Sequence, residues 1–314
     1  MANRKFVSEF GLNMLNGLRL LLQQEHLSLI DQTGIKPHIY IISRRPRISI
    51  VPESIKCEGD LISGIFRKQI KDTFEEIPFK TNNYLGTTDL TFKSEYPYTE
   101  YEVIDNKTQK LLANGKSALL LAKLNPDYQA HLDLEILYVG QSYGVEGART
   151  AGERLKKHET LQGIYSEAIR KSPDQEIWLF VSEFEEILLA SFDGRHDEYE
   201  TTEDQDNTHI KNVLNNEMTE QQKINFTEAA LIRHFQPPYN KIYKDTFPNP
   251  AHKTYSECYD IDLNMVCVEL QTDELAFRFW SENVPPNWLH FCSFPLHSKE
   301  ERMYMFEIDG EVAL

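Results

Sequence analysis

Cysteine is scarce in this sequence and never paired. Cys57, Cys258, Cys267 and Cys292 stand far apart, with no C-x-x-C spacing between them. That argues against a disulfide framework and against a zinc site built on paired thiolates. A reducing, cytoplasmic setting is expected from such usage. Long apolar runs are also missing, and nothing approaches the roughly 20 residues that span a bilayer, so no membrane partner is expected. The opening Met1-Ala2-Asn3-Arg4-Lys5-Phe6 carries basic residues but lacks the apolar stretch and cleavage site of a secretion signal. Positive charge is short as well. Lys and Arg number 33 against 49 Asp and Glu, giving a formal net charge of -16. That sum argues against general nucleic-acid affinity, because phosphates are gripped by Lys and Arg.

What is present is a chain of 314 residues, 40% hydrophobic and 26% charged. Such a chain has enough apolar matter for globular cores and a length that suggests two or three domains. Charge is unevenly spread. From residue 251 to the end, twelve acidic residues face four basic ones, and Arg195 to Asn207 holds six acidic residues and a single Arg. By contrast, Arg149, Arg154, Lys156, Lys157, Arg170 and Lys171 cluster against three glutamates. A local basic surface is therefore expected inside an acidic protein.

The chain divides by pattern. Residues 9–26 place leucines at helical spacing and predict an amphipathic helix. His38 to Ser43 and Arg47 to Val51 predict two strands about a turn at Arg45-Pro46. Residues 61–75 predict a second helix, Tyr98 to Ile104 a strand, and Asp105-Asn106-Lys107 a turn. Residues 1–113 thus read as an α+β region without an attached chemistry. Then come an apolar strand at Ser117 to Leu124, a second at Leu132 to Val139 ending in Gly140, and a helical segment over 149–171. Ile177 to Val181 follows as a third strand. The polar stretch 193–222 predicts an exposed acidic insertion, and Thr227 to Gln236 a helix stopped by Pro237-Pro238. Residues 251–314 predict a small β-rich acidic unit from four apolar segments around 265–268, 276–280, 289–292 and 303–306.

Four pieces of the central region, about 114–250, come in an order with chemical meaning. Ile136-Leu137-Tyr138-Val139-Gly140 ends a strand with a phenol and a glycine. Arg154-Leu155-Lys156-Lys157-His158 places Arg154 and His158 on one helical face, where both can address one phosphate. The strand at Trp178-Leu179-Phe180 comes third. Glu228 opens a helix whose other face is apolar, and Pro237-Pro238-Tyr239-Asn240 closes it. A carboxylate so placed can bind one divalent cation through oxygen.

In this order the pieces resemble the GIY-YIG nuclease family over about 135 of the 314 residues. The resemblance implies an α+β fold, a small, mainly antiparallel sheet flanked by helices, with N- and C-terminal additions. It implies Tyr138, Arg154, His158, Glu228 and Asn240 as site residues, with Glu228 as the ligand of one Mg²⁺ or Mn²⁺. The activity implied is metal-dependent endonucleolytic cleavage of DNA, in restriction, repair or defence. The family's first tyrosine, usually assigned as general base, lies on a Gly-Ile-Tyr strand roughly ten residues before the second. Here Ser117 to Ala122 contains no tyrosine, Tyr128 has the spacing but follows Pro126-Asp127, and a literal Gly163-Ile164-Tyr165 falls after His158. The alternative expectation is a degenerate module that binds nucleic acid or a protein partner without cutting. A second copy of the chain or another protein is expected to use the acidic C-terminal unit.

Overall fold

The computed structural model describes residues 4–124, 126–142, 155, 158–192, 201–215, 218–308 and 311–312. Its frame is one eight-stranded mixed sheet. The strands are β1 (Ser8–Leu22), β2 (Ile39–Pro46), β3 (Leu134–Gln141), β4 (Gln175–Phe192), β5 (Met265–Gln271), β6 (Phe279–Ser281), β7 (Val284–Asn287) and β8 (Leu289–Pro295). Their spatial order is β7-β6-β3-β2-β4-β1-β5-β8. The pairs β3–β6 and β1–β5 are parallel and the others antiparallel. β7 and β8 are the two outer strands, yet only Trp288 separates them along the chain. The sheet must therefore curl until its edges approach, close to a barrel. His290 on β8 spans the seam, its Nε2 donating to the Phe279 carbonyl on β6 at 3.0 Å.

Five helices matter to the site: α1 (Ser28–Thr33), α2 (Ser117–Leu124), α3 (Glu159–Lys171), α4 (Glu203–Asn215) and α5 (Glu220–Phe235). α5 starts with a capping box, in which Thr219 accepts from the Gln222 amide and the Gln222 side chain reaches back. Ile224, Phe226, Ala229, Ala230, Leu231, Ile232 and Phe235 are all buried, so α5 is enclosed rather than half-solvated. It fills the curl of the sheet. Phe10, Leu12 and Met14 of β1, Ile39 and Ile41 of β2, Trp178 and Phe180 of β4, and Val266 and Val268 of β5 share its core. The alternate residues face the other way. Tyr40, Ile42, Leu137, Leu179 and Val181 pack under Ile30 of α1 and Leu161 and Ile164 of α3. The central strands are thus buried on both faces, and a helix covers each.

This frame corrects the expected architecture. The sheet is large and mixed, not a small sheet flanked by helices, and strands from both ends of the chain belong to it. The physical reason lies in segments whose apolar spacing fits two periods. Residues 9–26 form β1, not a helix: Phe10, Leu12 and Met14 alternate inward as well as fitting a helical stripe. Gly11 and Gly17 disfavour the helix there, and a Cβ at Gly11 would come within 2.8 Å of Met265 Cγ, so the close β1–β5 approach requires glycine. Residues 61–75 form most of a hairpin, Leu61–Ile70 paired with Thr73–Asn82. Ser117 to Leu124 is helix, not strand, consistent with its Ala and Leu content and lack of β-branched residues. The apolar segment at 303–306 is not a strand, although Met303 and Met305 are buried.

Arg47 to Val51 does not pair back onto β2. Ile48–Ile50 joins a separate sheet with Lys56–Glu58 and the 61–82 hairpin, and Leu90–Lys93, Glu100–Asp105 and Leu111–Lys116 form a third sheet. Both small sheets lie, in sequence, between β2 and β3, two strands that are neighbours in space. Within the acidic stretch 193–222, α4 buries Asp206, His209 and Val213; residues 193–200 are outside the described set.

Candidate active site

Two adjacent strands and two helices build the site. β2 and β3 run antiparallel with Tyr40 opposite Gly140 and Ile42 opposite Tyr138. Tyr40 and Tyr138 project to the face covered by α3, their ring centroids 5.9 Å apart. Gly140 is the slot between them: an added Cβ would lie 2.6 Å from Tyr40 Cζ and 2.7 Å from Tyr138 Cε1. A side chain there would collide with both rings.

His158 stands at the N-cap of α3. Its Nε2 is 3.0 Å from the Tyr40 hydroxyl, and its ring lies 5.6 Å from that of Tyr40 and 6.0 Å from that of Tyr138. Tyr138 shares hydrogen bonds with Tyr40 and Thr160. Its hydroxyl is held above the usual phenol range, chiefly by burial and further by Glu228.

Glu228 is not at a helix start. α5 begins eight residues earlier, at Glu220, so neither capping nor the helix dipole accounts for a carboxylate here. Gln141 at the end of β3 donates to Glu228 Oε2 from Nε2 at 2.7 Å, and its backbone amide adds a second bond. Burial pushes the Glu228 carboxyl up to about 7, while the Gln141 bonds pull the other way. Among the described residues no cationic side chain contributes to that balance. A part-buried carboxylate held only by neutral donors lacks a positive charge. A divalent cation with oxygen ligands would supply one, so Glu228 fits the metal-binding role chemically.

Asn240 plays a different part. Its Oδ1 accepts from the Val139 amide at 2.9 Å, and its Nδ2 donates to the Val139 carbonyl at 2.8 Å. Tyr239 N also donates to Leu137 O. The segment after α5 therefore runs beside β3 like a further strand and fixes the stretch from Tyr138 to Gly140. Asn240 positions the backbone rather than facing the hydroxyls.

Of the residues expected from sequence, Tyr138 and His158 lie with ring centroids 6.0 Å apart and Asn240 holds the backbone of β3 behind Tyr138, while Glu228 on α5 is linked to them through Gln141 and through its electrostatic influence on Tyr138. Arg154 lies outside the described residues, as do Lys156 and Lys157. Tyr128, nominated by spacing, points elsewhere, its hydroxyl donating to Pro78 O at 2.8 Å. The Gly163-Ile164-Tyr165 triplet is inside α3, with Ile164 buried in the core.

Tyr40 is the residue that sequence reasoning missed. Its signal was present, since His38-Ile39-Tyr40 ends in Ile-Tyr on a segment already readable as a strand. The expectation of a spacing near ten concealed it: the insertion carrying the two small sheets puts Tyr40 far upstream of Tyr138 in sequence, while strand pairing makes them neighbours. No helix among the described residues is long and apolar enough to cross a membrane. Set beside family models, curated proteins and solved structures, the chain matches none of them.

Proposed function

We propose that this chain is a metal-dependent endonuclease that hydrolyses phosphodiester bonds in DNA. The observation that carries the reading is that two phenols and an imidazole meet over Gly140 while the next residue, Gln141, holds a carboxylate that no cation among the described residues neutralises. Glu228 would hold one Mg²⁺ or Mn²⁺, which when bound neutralises charge developing on the phosphate and the leaving oxygen. Tyr40 would take a proton from the attacking water as its own phenolic proton passes to His158 Nε2, 3.0 Å away. The hydroxide oxygen then bonds to phosphorus while the bond to the leaving deoxyribose oxygen breaks. Tyr138 orients the water through its hydroxyl, and Gly140 lets the two tyrosine rings close over the strand where a side chain would hold them apart. Arg154, four residues before His158 in sequence, is assigned to the nonbridging phosphate oxygens.

The experiment is plasmid relaxation. Wild-type protein is incubated with supercoiled DNA and Mg²⁺ or Mn²⁺ beside Glu228→Ala, Tyr40→Phe and Tyr128→Phe. Nicking is expected in wild type and Tyr128→Phe, absent in Glu228→Ala, and lowered by about 10²-fold or more in Tyr40→Phe. A gel shift without nicking in any metal would replace this reading with the module that binds without cutting. Equal nicking by wild type and Glu228→Ala would overturn the assignment outright.

A further inference from the structure

Gln141 is more than a neighbour of Glu228. Three side-chain amides form a closed circuit beside that carboxylate, and their orientations are mutually fixed. Asn225 Nδ2 donates to the Thr254 carbonyl at 3.2 Å, which turns Asn225 Oδ1 toward β3. That oxygen accepts from Gln141 Nε2 and from Gln221 Nε2, each at 2.9 Å. Gln221 Nε2 donates a second time, to Gln141 Oε1 at 3.0 Å. Gln141 Nε2 has one hydrogen left, and it goes to Glu228 Oε2 at 2.7 Å.

Each amide can be flipped in principle, but flipping one here faces oxygen to oxygen or N–H to N–H. The Thr254 carbonyl can only accept, so it sets the sense of the whole chain. Gln221, Asn225 and Glu228 recur at i, i+4 and i+7 on α5 and therefore share a helical face. Gln141 is the only member from the sheet, one residue beyond Gly140.

We infer that the Thr254–Asn225–Gln141 relay is a positioning device for Glu228, presenting the carboxylate to a divalent cation in one orientation. Gln141 is its terminal positioning residue. The inference rests on the reading of Glu228 as the metal ligand and adds what aims it. An outer-shell hydrogen bond fixes a ligand's rotamer before the ion arrives, and losing such a partner typically costs about 10- to 100-fold in affinity. An uncharged donor suits this role, because a Lys or Arg at position 141 would pair with Glu228 and compete with the ion.

The test is Mn²⁺ binding to the full-length protein by calorimetry and by loss of the free-Mn²⁺ resonance signal. The proteins compared are wild type, Glu228→Ala, Gln141→Met and Asn225→Leu. Gln141→Met keeps the side-chain length and removes both donors. Its Mn²⁺ affinity is expected to fall by about 10-fold or more, and that of Asn225→Leu by a smaller factor in the same direction. Gln141→Asn, which keeps an amide but shortens its reach, is expected to fall between Gln141→Met and wild type. In the nicking assay the metal concentration for half-maximal rate should rise in Gln141→Met, while the rate at saturating metal returns toward wild type. Thermal melts of each variant separate a binding defect from misfolding, and Asn225→Leu carries the test if Gln141→Met does not fold. If wild type binds Mn²⁺ through Glu228 and both relay variants bind it equally well, the relay is overturned and the metal reading stands. Should Glu228→Ala bind Mn²⁺ as wild type does, or wild type bind none, the metal reading fails and the relay falls with it.

Discussion

Replacing Gly140 by alanine asks whether the tyrosine pair is packed as described. The new methyl carbon would lie 2.6 Å from Tyr40 Cζ and 2.7 Å from Tyr138 Cε1, where ordinary contact begins at 3.4 Å. One ring must retreat by about 0.8 Å and the other by about 0.7 Å, or β3 must move away from β2. Neither adjustment is easy. Tyr40 is only 1% exposed and tied to His158, and Tyr138 shares hydrogen bonds with Tyr40 and Thr160. Overpacking of this kind costs about 1–3 kcal/mol, and for a chain this long that corresponds to a fall of a few degrees in melting temperature. Displacing reacting groups by most of an ångström costs about 10²-fold in rate. Gly163→Ala is the internal control. A methyl there meets nothing within 4 Å and sits inside α3, so alanine should stabilise by about 0.5–1 kcal/mol and leave nicking intact. Melting curves and plasmid relaxation read both variants. A Gly140→Ala protein that melts and nicks like wild type would refute the geometry at the centre of the site.

Two further outcomes follow from buried charge. The Glu228 carboxyl is pushed up to about 7 in the fold, against roughly 4.3 in an unfolded chain. Its ionised form is therefore penalised when folded: the penalty is absent below about pH 4.5 and complete above pH 7. Without metal, Glu228→Gln should be more stable than wild type at pH 8, by up to about 3 kcal/mol, and the difference should close by about pH 4. A pH-independent difference between the two melting curves would contradict this. Arg45 lies over the Trp178 ring at 4.3 Å with Nε and Nη2 lacking hydrogen-bond partners among the described residues, and burial lowers its guanidinium to about 10. Its ion-pair partner Glu176 is 3.8 Å away, and burial raises that carboxyl. Both shifts say that desolvation outweighs the attraction. Arg45→Met alone should destabilise by about 3–5 kcal/mol by stranding Glu176, and adding Glu176→Leu should restore most of it in urea unfolding. A double variant no better than the single one would sink this account.

The strand end at Tyr138 is legible as a local pattern, but the helical positions are not: His158, expected four residues along one helix from Arg154, is the extended N-cap of α3, and Glu228, expected in a first turn, lies eight residues into α5. Tyr40 was hidden, since its link to Tyr138 is a strand pairing across an inserted module, and no local period records such a pairing. β1 was misread because Phe10, Leu12 and Met14 satisfy a period of two while the leucines around them also fit 3.6. The deciding facts were the glycines at 11 and 17 and the close approach of Met265, and the latter exists only in three dimensions. The chain-wide sheet was unreadable for the same reason. Segments 265–295 look like an independent β unit until β5 is seen beside β1. The amide circuit around Gln141 required coordinates, because glutamine and asparagine at helical spacing ordinarily mark a solvated face.

β1 hydrogen-bonds on one side to β4 and on the other to β5, and Asn16 reaches Gln271 across 255 positions of chain. Synthesis runs from the N-terminus, so the first strand made waits for nearly the last before both its edges are satisfied. Tyr40 leaves the ribosome long before Gly140, Glu228 or the residues that close the barrel seam. A half-made chain thus has Tyr40, Tyr138 and Glu228 unassembled and a long unpaired strand exposed to sticking. The side chains around Gly140 meet only once strands from distant parts of the chain have joined one sheet.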